Sequence, residues 1–419
     1  MLSSGMERRG RRSRLFAIGF LIAFLTLPAL LLGPGGCAKR RPLSILLITL
    51  DRTRADYLGC YEGQPAHTPT LDSLAAAGFR FTQAITPVPI TRPAHASMMT
   101  GLNPTRHGVR DNGAFHLSPS IPVLADQLQK NGYQTRAFIS AFVLARQFGL
   151  DRGFDAYDDA LYNERSGFRT NRAALRWADR LDASRPYFLW PHYCEPHAPY
   201  HPALRFRALN GLTPYAQEVA AADAAAGELL RTLRAKGLLK NTMIVAVGDH
   251  GEGLGAHGED EHGIFIYDES VRVPLLINLP KGAGKKVIES PVSLIDLAPT
   301  LLDVAGLPPL VGIEGVSLMP LIKGTAYSPR PSEYRETFCP EYNYDHARCR
   351  QCEHRAGSTS ERPRPSCTIW RGTRGRRAIL TQNSRTRPGP SPSGSTGTSP
   401  LSRRPHPGRA RCRRRISSV

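Results

Sequence analysis

Several short stretches of the chain concentrate residues able to do chemistry. The first is Thr91-Arg-Pro-Ala-His-Ala-Ser-Met-Met-Thr-Gly101. Pro87, Pro89 and Pro93 make its approach irregular, the residues from about Ala94 to Thr100 suit a short helix, and Gly101 suits its end. Thr91 then stands at or just before a helix N-terminus, where free N–H groups and the dipole favour an anion, so its hydroxyl is a candidate nucleophile. A plain N-cap is the alternative. The second is Val247-Gly-Asp-His-Gly-Glu252, where adjacent Asp249 and His250 among glycines suit a divalent metal. The third is Leu50-Asp-Arg-Thr-Arg-Ala-Asp56, with Asp51 closing an apolar run. The last comprises two histidine-bearing segments, His192-Tyr-Cys-Glu-Pro-His197 and His257-Gly-Glu-Asp-Glu-His262.

Strands must position these groups. Residues 42–50 form a nearly continuous apolar run, as in a strand buried on both faces. Further strands are expected at Arg136–Ala141, Tyr187–His192, Thr242–Gly248 and Val273–Leu279. Helices are expected at Pro69–Ala77, Ile121–Asn131, Asn171–Ala183 and Tyr215–Lys236. The alternation predicts an α/β fold, a doubly wound, mostly parallel sheet flanked by helices. Such sheets bind ligands at strand carboxyl ends, which gathers Asp51 and Asp249 in one site.

The spacing from Thr91 to Gly101 resembles the sulfatase signature, which runs nucleophile, any residue, Pro, small residue, Arg, a hydrophobic pair and Thr-Gly. The resemblance covers about Leu43 to Thr337 and points to the sulfatase branch of the alkaline phosphatase superfamily. It implies Asp51, Asp249, His250 and Thr91 as ligands of one divalent metal, Ca2+ first, with Zn2+ or Mn2+ as alternatives. Arg52 departs from the pattern, since a cation beside a metal is unexpected. Either it turns away or the metal has fewer protein ligands. His95 replaces the signature Arg and either balances charge or holds Thr91. His197 matches a substrate-facing acid. His262 stands where relatives place a Lys that meets the substrate oxyanion or leaving group. Asn112 matches a substrate-binding amide, and His257 either contacts substrate or supports its loop. His107 and Arg110 are read as holding the nucleophile loop, and His192 as structural.

The implied reaction is hydrolysis of a small-molecule or glycan sulfate ester. Usual sulfatases oxidise Cys or Ser to an aldehyde at the nucleophile position, which Thr cannot give, so Thr91 would attack directly. Two rival readings are a phosphodiesterase or phosphonate monoester hydrolase using Thr91, and an inactive exported relic.

The net charge of +20 points to nucleic acid only until it is mapped. Residues 1–41 carry +7 and residues 346–419 carry +16, leaving −3 on the body, so a nucleic-acid partner is rejected. Arginines at 8, 9, 11, 12 and 14 precede the apolar run Leu15–Leu32 and Gly36-Cys37. Residues 1–41 therefore read as an export signal, a lipoprotein leader lipidated at Cys37 or a membrane anchor, and the body as periplasmic or cell-envelope. Cys60, Cys194 and Cys339 in the body give no disulfide framework. The catalytic domain spans 42–345. Residues 346–419, rich in Arg, Ser and Pro, read as disordered and as a frameshifted translation. Shifted by one base with synonymous codons chosen freely, Gln351–Arg377 yields a string containing Trp-Lys-Tyr and Glu-Leu-Tyr-Asp-Leu, like the sulfatase C-terminal segment. That small antiparallel subdomain is then expected to be missing or scrambled.

Overall fold

The computed structural model describes residues 42–337, apart from 64–65, 162–163, 283 and 329–333, together with three backbone strands beyond them. Its organising strand is β1 (Ser44–Leu50), buried at all seven positions. A strand with water on neither side needs apolar residues on both faces, and Ser-Ile-Leu-Leu-Ile-Thr-Leu supplies them.

Eight further strands complete the sheet: β2 (Phe79–Ile85), β3 (Gln134–Phe138), β4 (Ala156–Asp158), β5 (Tyr187–Tyr193), β6 (Thr242–Gly248), β7 (Arg272–Asn278), β8 (Lys286–Ile288) and β9 (Val292–Ser293). Their order is β4-β3-β5-β1-β6-β7-β2-β8, with β9 also on β2. Every pairing is parallel except the two made by β7, which runs against β6 and β2. The expected doubly wound, mostly parallel sheet is present.

Helices cover both faces. Leu46, Ile48 and Leu50 pack with α1 (Pro69–Ala77), and the same cluster takes in α4 (Gly167–Ala178) and α5 (Pro214–Ala235). Ile45 and Leu47, pointing the other way, share a cluster with α2 (Thr91–Thr100), α3 (Leu124–Lys130) and α6 (Leu297–Ala305). Each buried Leu or Ile contributes about 1.5–3 kcal/mol, so the alternation along β1 ties the two helical layers to one strand.

Several boundaries differ from expectation for local reasons. Helix α2 begins at Thr91 rather than near Ala94, because the extended Ile90 already accepts the Ala94 N–H at 3.0 Å. Helix α3 begins at Leu124, since Pro122 and extended Val123 hold the chain out of the helix. Helix α4 starts earlier, at Gly167, whose N–H donates to the Glu195 carboxylate at 3.0 Å. It stops at Ala178, and the Asp182 carboxylate accepts from Ser184 N–H in the turn beyond.

Past residue 337 the described backbone forms a small antiparallel sheet, β10 (Ala347–Cys349), β11 (Thr368–Arg371) and β12 (Ile379–Thr381). The remainder of the tail and the leader at 1–41 lie outside the described residues, as does Cys339. Cys60 and Cys194 are free thiols. Among the described residues no helix is long and apolar enough to cross a membrane.

Candidate active site

The parallel register builds the site. Leu50 is aligned with Gly248 on one side and Tyr193 on the other. The next residues therefore leave the sheet together: Asp249 N–H donates to the Leu50 carbonyl at 3.2 Å, and Asp51 N–H to the Tyr193 carbonyl at 3.0 Å. Two carboxylates almost two hundred residues apart in sequence thus meet at one strand edge. Thr91 arrives from β2 through the loop into α2, all of whose residues are buried. Gly101 ends that helix at φ +67°, the left-handed conformation expected of it.

Thr91 Oγ1 lies 3.2 Å from His250 Nε2 and 3.5 Å from Asp51 Oδ1. His250 Nε2 is 3.5 Å from Asp51 Oδ1 and 3.6 Å from Asp249 Oδ2. Each of Asp51, Asp249 and His250 presents a ligand atom within 4.8 Å of the other two, and all are buried. His250 donates from Nδ1 to the Gly251 carbonyl at 2.9 Å, which fixes its tautomer and leaves the Nε2 lone pair for a ligand. Asp249 Oδ2 has no hydrogen-bond partner. Burial pushes both carboxyls above the usual carboxylate range; Arg52 opposes this at Asp51, and the Asp51 charge adds to it at Asp249. Burial also holds His250 well below the ordinary imidazole value. A neutral imidazole, two crowded carboxylates and one orphaned oxygen fit a divalent cation.

Arg52 turns away. Its backbone takes the left-handed region at φ +50°, and the Tyr215 hydroxyl anchors its carbonyl at 2.7 Å. Its own N–H donates to Asp249 Oδ1 at 3.1 Å, while the guanidinium reaches Glu252 Oε2 at 3.2 Å and His197 Nε2 at 2.8 Å. Glu252, part of the Asp-His-Gly-Glu segment but given no role by the sequence reading, is the hub of this layer. It is fully buried and also accepts from the Tyr200 hydroxyl at 2.9 Å and His262 Nδ1 at 2.8 Å. The His262 ring thereby lies over His250, centroids 4.2 Å apart, and burial first, then Arg52, holds its pKa well below 6.5.

His95 donates from Nδ1 to the Thr91 carbonyl at 2.8 Å, one turn back along α2, and burial lowers its pKa to about 4. His197 donates from Nδ1 to the Ala198 carbonyl at 2.7 Å and keeps a quarter of its side chain exposed. Asn112 Oδ1 accepts the Arg92 N–H at 2.9 Å, holding the first turn of α2. His107 bonds Ser97 Oγ at 3.0 Å, and Arg110 pairs with buried Glu336, its Nε at 3.0 Å. His257 stacks on Tyr267 at 3.7 Å, with Nε2 3.5 Å from Glu269, and its side chain is nearly half exposed. The structure thus gathers Asp51, Thr91, His95, Asp249, His250 and His262, sets His197 against Arg52, and places Asn112 and His257 in the surrounding loops. The tertiary roles of Glu252 and Tyr200 had no signal in spacing; a buried acid three residues past Asp249 was the only hint.

A mostly parallel sheet with an acid pair and a histidine at its strand ends is the architecture of alkaline phosphatase-like hydrolases. The Sulfatase family model matches residues 44–307, and the model for "N-sulphoglucosamine sulphohydrolase, C-terminal" matches 258–362. The chain belongs to the sulfatase family, hydrolases acting on sulfate esters. Arylsulfatase A of Homo sapiens is 27% identical over 369 residues, covering 73% of this chain and 72% of that protein. The uncharacterized sulfatase YidJ of Escherichia coli (strain K12) is 26% identical over 342 residues, covering 64% and 68%. Among solved structures, the putative sulfatase yidJ from Bacteroides fragilis superposes with a TM-score of 0.65 at 21% identity, covering 84% of this chain and 91% of that one. Phosphonate monoester hydrolase of Agrobacterium radiobacter gives 0.64 at 20% identity, covering 79% and 89%.

Proposed function

We propose that the chain hydrolyses sulfate esters of small molecules or glycans with Thr91 as the nucleophile. The observation that carries this is the convergence of Thr91 Oγ1 on His250 and Asp51 at the start of α2. Asp51, Asp249, His250 and Thr91 would hold one divalent cation, Ca2+ by resemblance, with Zn2+ or Mn2+ as alternatives. When bound it supplies positive charge that lowers the Thr91 hydroxyl pKa and offsets charge on the attacked group.

Thr91 Oγ, its proton passed to solvent water, attacks sulfur, the bond from sulfur to the leaving oxygen breaks, and that oxygen takes a proton. His197, the more exposed of the two candidate histidines, fills the acid's position, and to do so its Nε2 must exchange the Arg52 guanidinium at 2.8 Å for the leaving oxygen. His262, held neutral with Nδ1 on Glu252, offers Nε2 to a water that cleaves the Thr91 ester and releases sulfate. Asn112 steadies Thr91 through Arg92 and has Nδ2 left to meet a substrate oxygen, while His257 with Tyr267 contacts the organic part. His95 fixes the carbonyl of the nucleophile itself.

A phosphodiester or phosphonate monoester substrate is the second reading. It is favoured by Thr91, which cannot give the aldehyde of usual sulfatases. The relic reading rests on Arg52, Thr91 and the scrambled tail, and the turn of the Arg52 guanidinium to Glu252 weakens the first of these. The leader at 1–41 would place the enzyme in the cell envelope through Cys37 or Leu15–Leu32; cell fractionation with Cys37→Ala tests this.

An aryl sulfate and an aryl phosphodiester are assayed side by side with added divalent metals, with Thr91→Ala as control. Sulfate turnover abolished in Thr91→Ala is expected. Turnover surviving that change overturns the nucleophile, phosphodiester turnover alone selects the second reading, and neither turnover nor bound metal selects the relic.

A further inference from the structure

Beside the acid pair lies a group of unmet polar atoms centred on His192, which the proposed mechanism does not use. Both ring nitrogens of His192, Nε2 of His95 and Oδ2 of Asp249 are buried without hydrogen-bond partners. Each such atom costs about 1–3 kcal/mol when left unmet, so neighbouring residues that carry them call for an occupant.

The three residues come from separate elements. His95 is one turn into α2, His192 is the next-to-last residue of β5, and Asp249 follows β6. The register brings them together, because Thr49 of β1 is aligned with His192 and with Val247. Each offers a ligand atom within 4.8 Å of the other two, and none is exposed to solvent. His95 Nδ1 lies 3.6 Å from Asp249 Oδ2, and the His95 and His192 rings meet edge to face at 5.1 Å. His95 already places its proton on the Thr91 carbonyl, so Nε2 carries a bare lone pair. A ring nitrogen bound to a backbone carbonyl opposite a free nitrogen is the usual preparation of a metal-ligating histidine.

We propose that His95, His192 and Asp249 form a second divalent-cation site that shares Asp249 with the first. Two imidazoles and one carboxylate select a borderline cation such as Zn2+ over the hard Ca2+ that suits oxygen donors. Three protein ligands leave a fourth position open, as in sites that meet a substrate or water. Charge sets the order of filling. One divalent cation neutralises Asp51 and Asp249; a second leaves the cluster at +2, which an anionic ester or inorganic sulfate offsets. Sulfate is therefore expected to tighten the second site.

The two sites share Asp249, and His192 Nε2 also lies 3.8 Å from Asp51 Oδ2, so the histidine variants and Asp51→Asn are read together. Chelated full-length protein is dialysed against Zn2+ with and without inorganic sulfate. Bound metal is counted by mass spectrometry, and folding is checked by circular dichroism. Wild type is expected to hold two equivalents, and His192→Gln and His95→Gln one each. Asp51→Asn is expected to keep the histidine-dependent equivalent. In Co2+-loaded protein, the visible absorption of that equivalent is lost in the histidine variants and kept in Asp51→Asn. A single equivalent in wild type, lost in Asp51→Asn and unchanged in both histidine variants, overturns the second site and leaves the first intact. A single equivalent lost only in the histidine variants upholds this site and overturns the first. If the glutamine variants do not fold, the wild-type count decides, and one equivalent or none overturns the proposal.

Discussion

Glu252→Ala isolates the layer beneath the acid pair. The substitution removes a fully buried carboxylate that accepts from Arg52, Tyr200 and His262. Arg52 cannot shed its charge and is itself buried. Its other carboxylate, Glu261 at 3.5 Å, is 64% exposed, and such a pair is worth about 1 kcal/mol at most. Breaking a buried ion pair from one side costs about 3–5 kcal/mol, because the partner is left charged and dry. For a body of this size that is a fall in Tm of roughly 5–8 °C. Thermal unfolding followed by circular dichroism reads it directly. The double variant Glu252→Ala, Arg52→Met should regain about 1–3 kcal/mol, since the stranded charge goes too. A loss below about 1 kcal/mol in the single variant, or no recovery in the double, refutes the placement of Arg52 against Glu252.

Other perturbations have equally definite outcomes. Thr91→Ala should lower kcat by at least about 10³-fold with the fold intact, whereas Thr91→Ser keeps a hydroxyl and measurable turnover; steady-state rates on the favoured ester compare them. The metal-free protein should lose stability as pH rises. Burial lifts Asp51 from 3.8 to about 7, so the folded state holds a proton that the unfolded chain has released across that window; its contribution is complete at the acid end and gone above it. A pH series of Tm after chelation should fall across this window. The fall should be shallower in Asp51→Asn and in protein with divalent metal restored, and an unchanged slope in Asp51→Asn argues against a buried acid there. Gly101→Ala forces a side chain into φ +67° with its Cβ 2.4 Å from Ile313 Cγ1. It should cost about 1–3 kcal/mol in urea unfolding, and a neutral result contradicts the left-handed end of α2.

The acid pair was legible because its signals are one-dimensional. The apolar run 42–50 ahead of Asp51 and another ending at Gly248 before Asp249 each announce a strand edge without reference to anything distant. Helix α1 was legible as an apolar pattern opened by Pro69. The strand Phe79–Ile85 went unread. Arg80, Thr82 and Gln83 interrupt its apolar positions, and a register shift against β7 between Phe81 and Ala84 breaks its regularity. The reversed direction of β7 has no mark in Val273–Leu279, since a buried run reads the same either way. Arg52 looked like an intruder because its direction depends on a positive φ and on Tyr215, more than 160 residues away. That His192 meets His95 has no mark in the sequence, because the sheet register and α2 bring the two rings together.

The aligned exits of β1 and β6 also bear on how the protein folds. Asp51, Thr91 and Asp249 come together only after chain segments 40 and about 160 residues long have closed and β1 has paired with β6. No fragment carrying one or two of these residues assembles the cluster, so a cation held there recognises the finished sheet and not the unfolded chain. Its binding energy adds to native stability by mass action and acts on the barrier to unfolding, while the early, local steps of folding proceed at the same rate without it. Metal supply would then set how long the protein lasts rather than whether it forms.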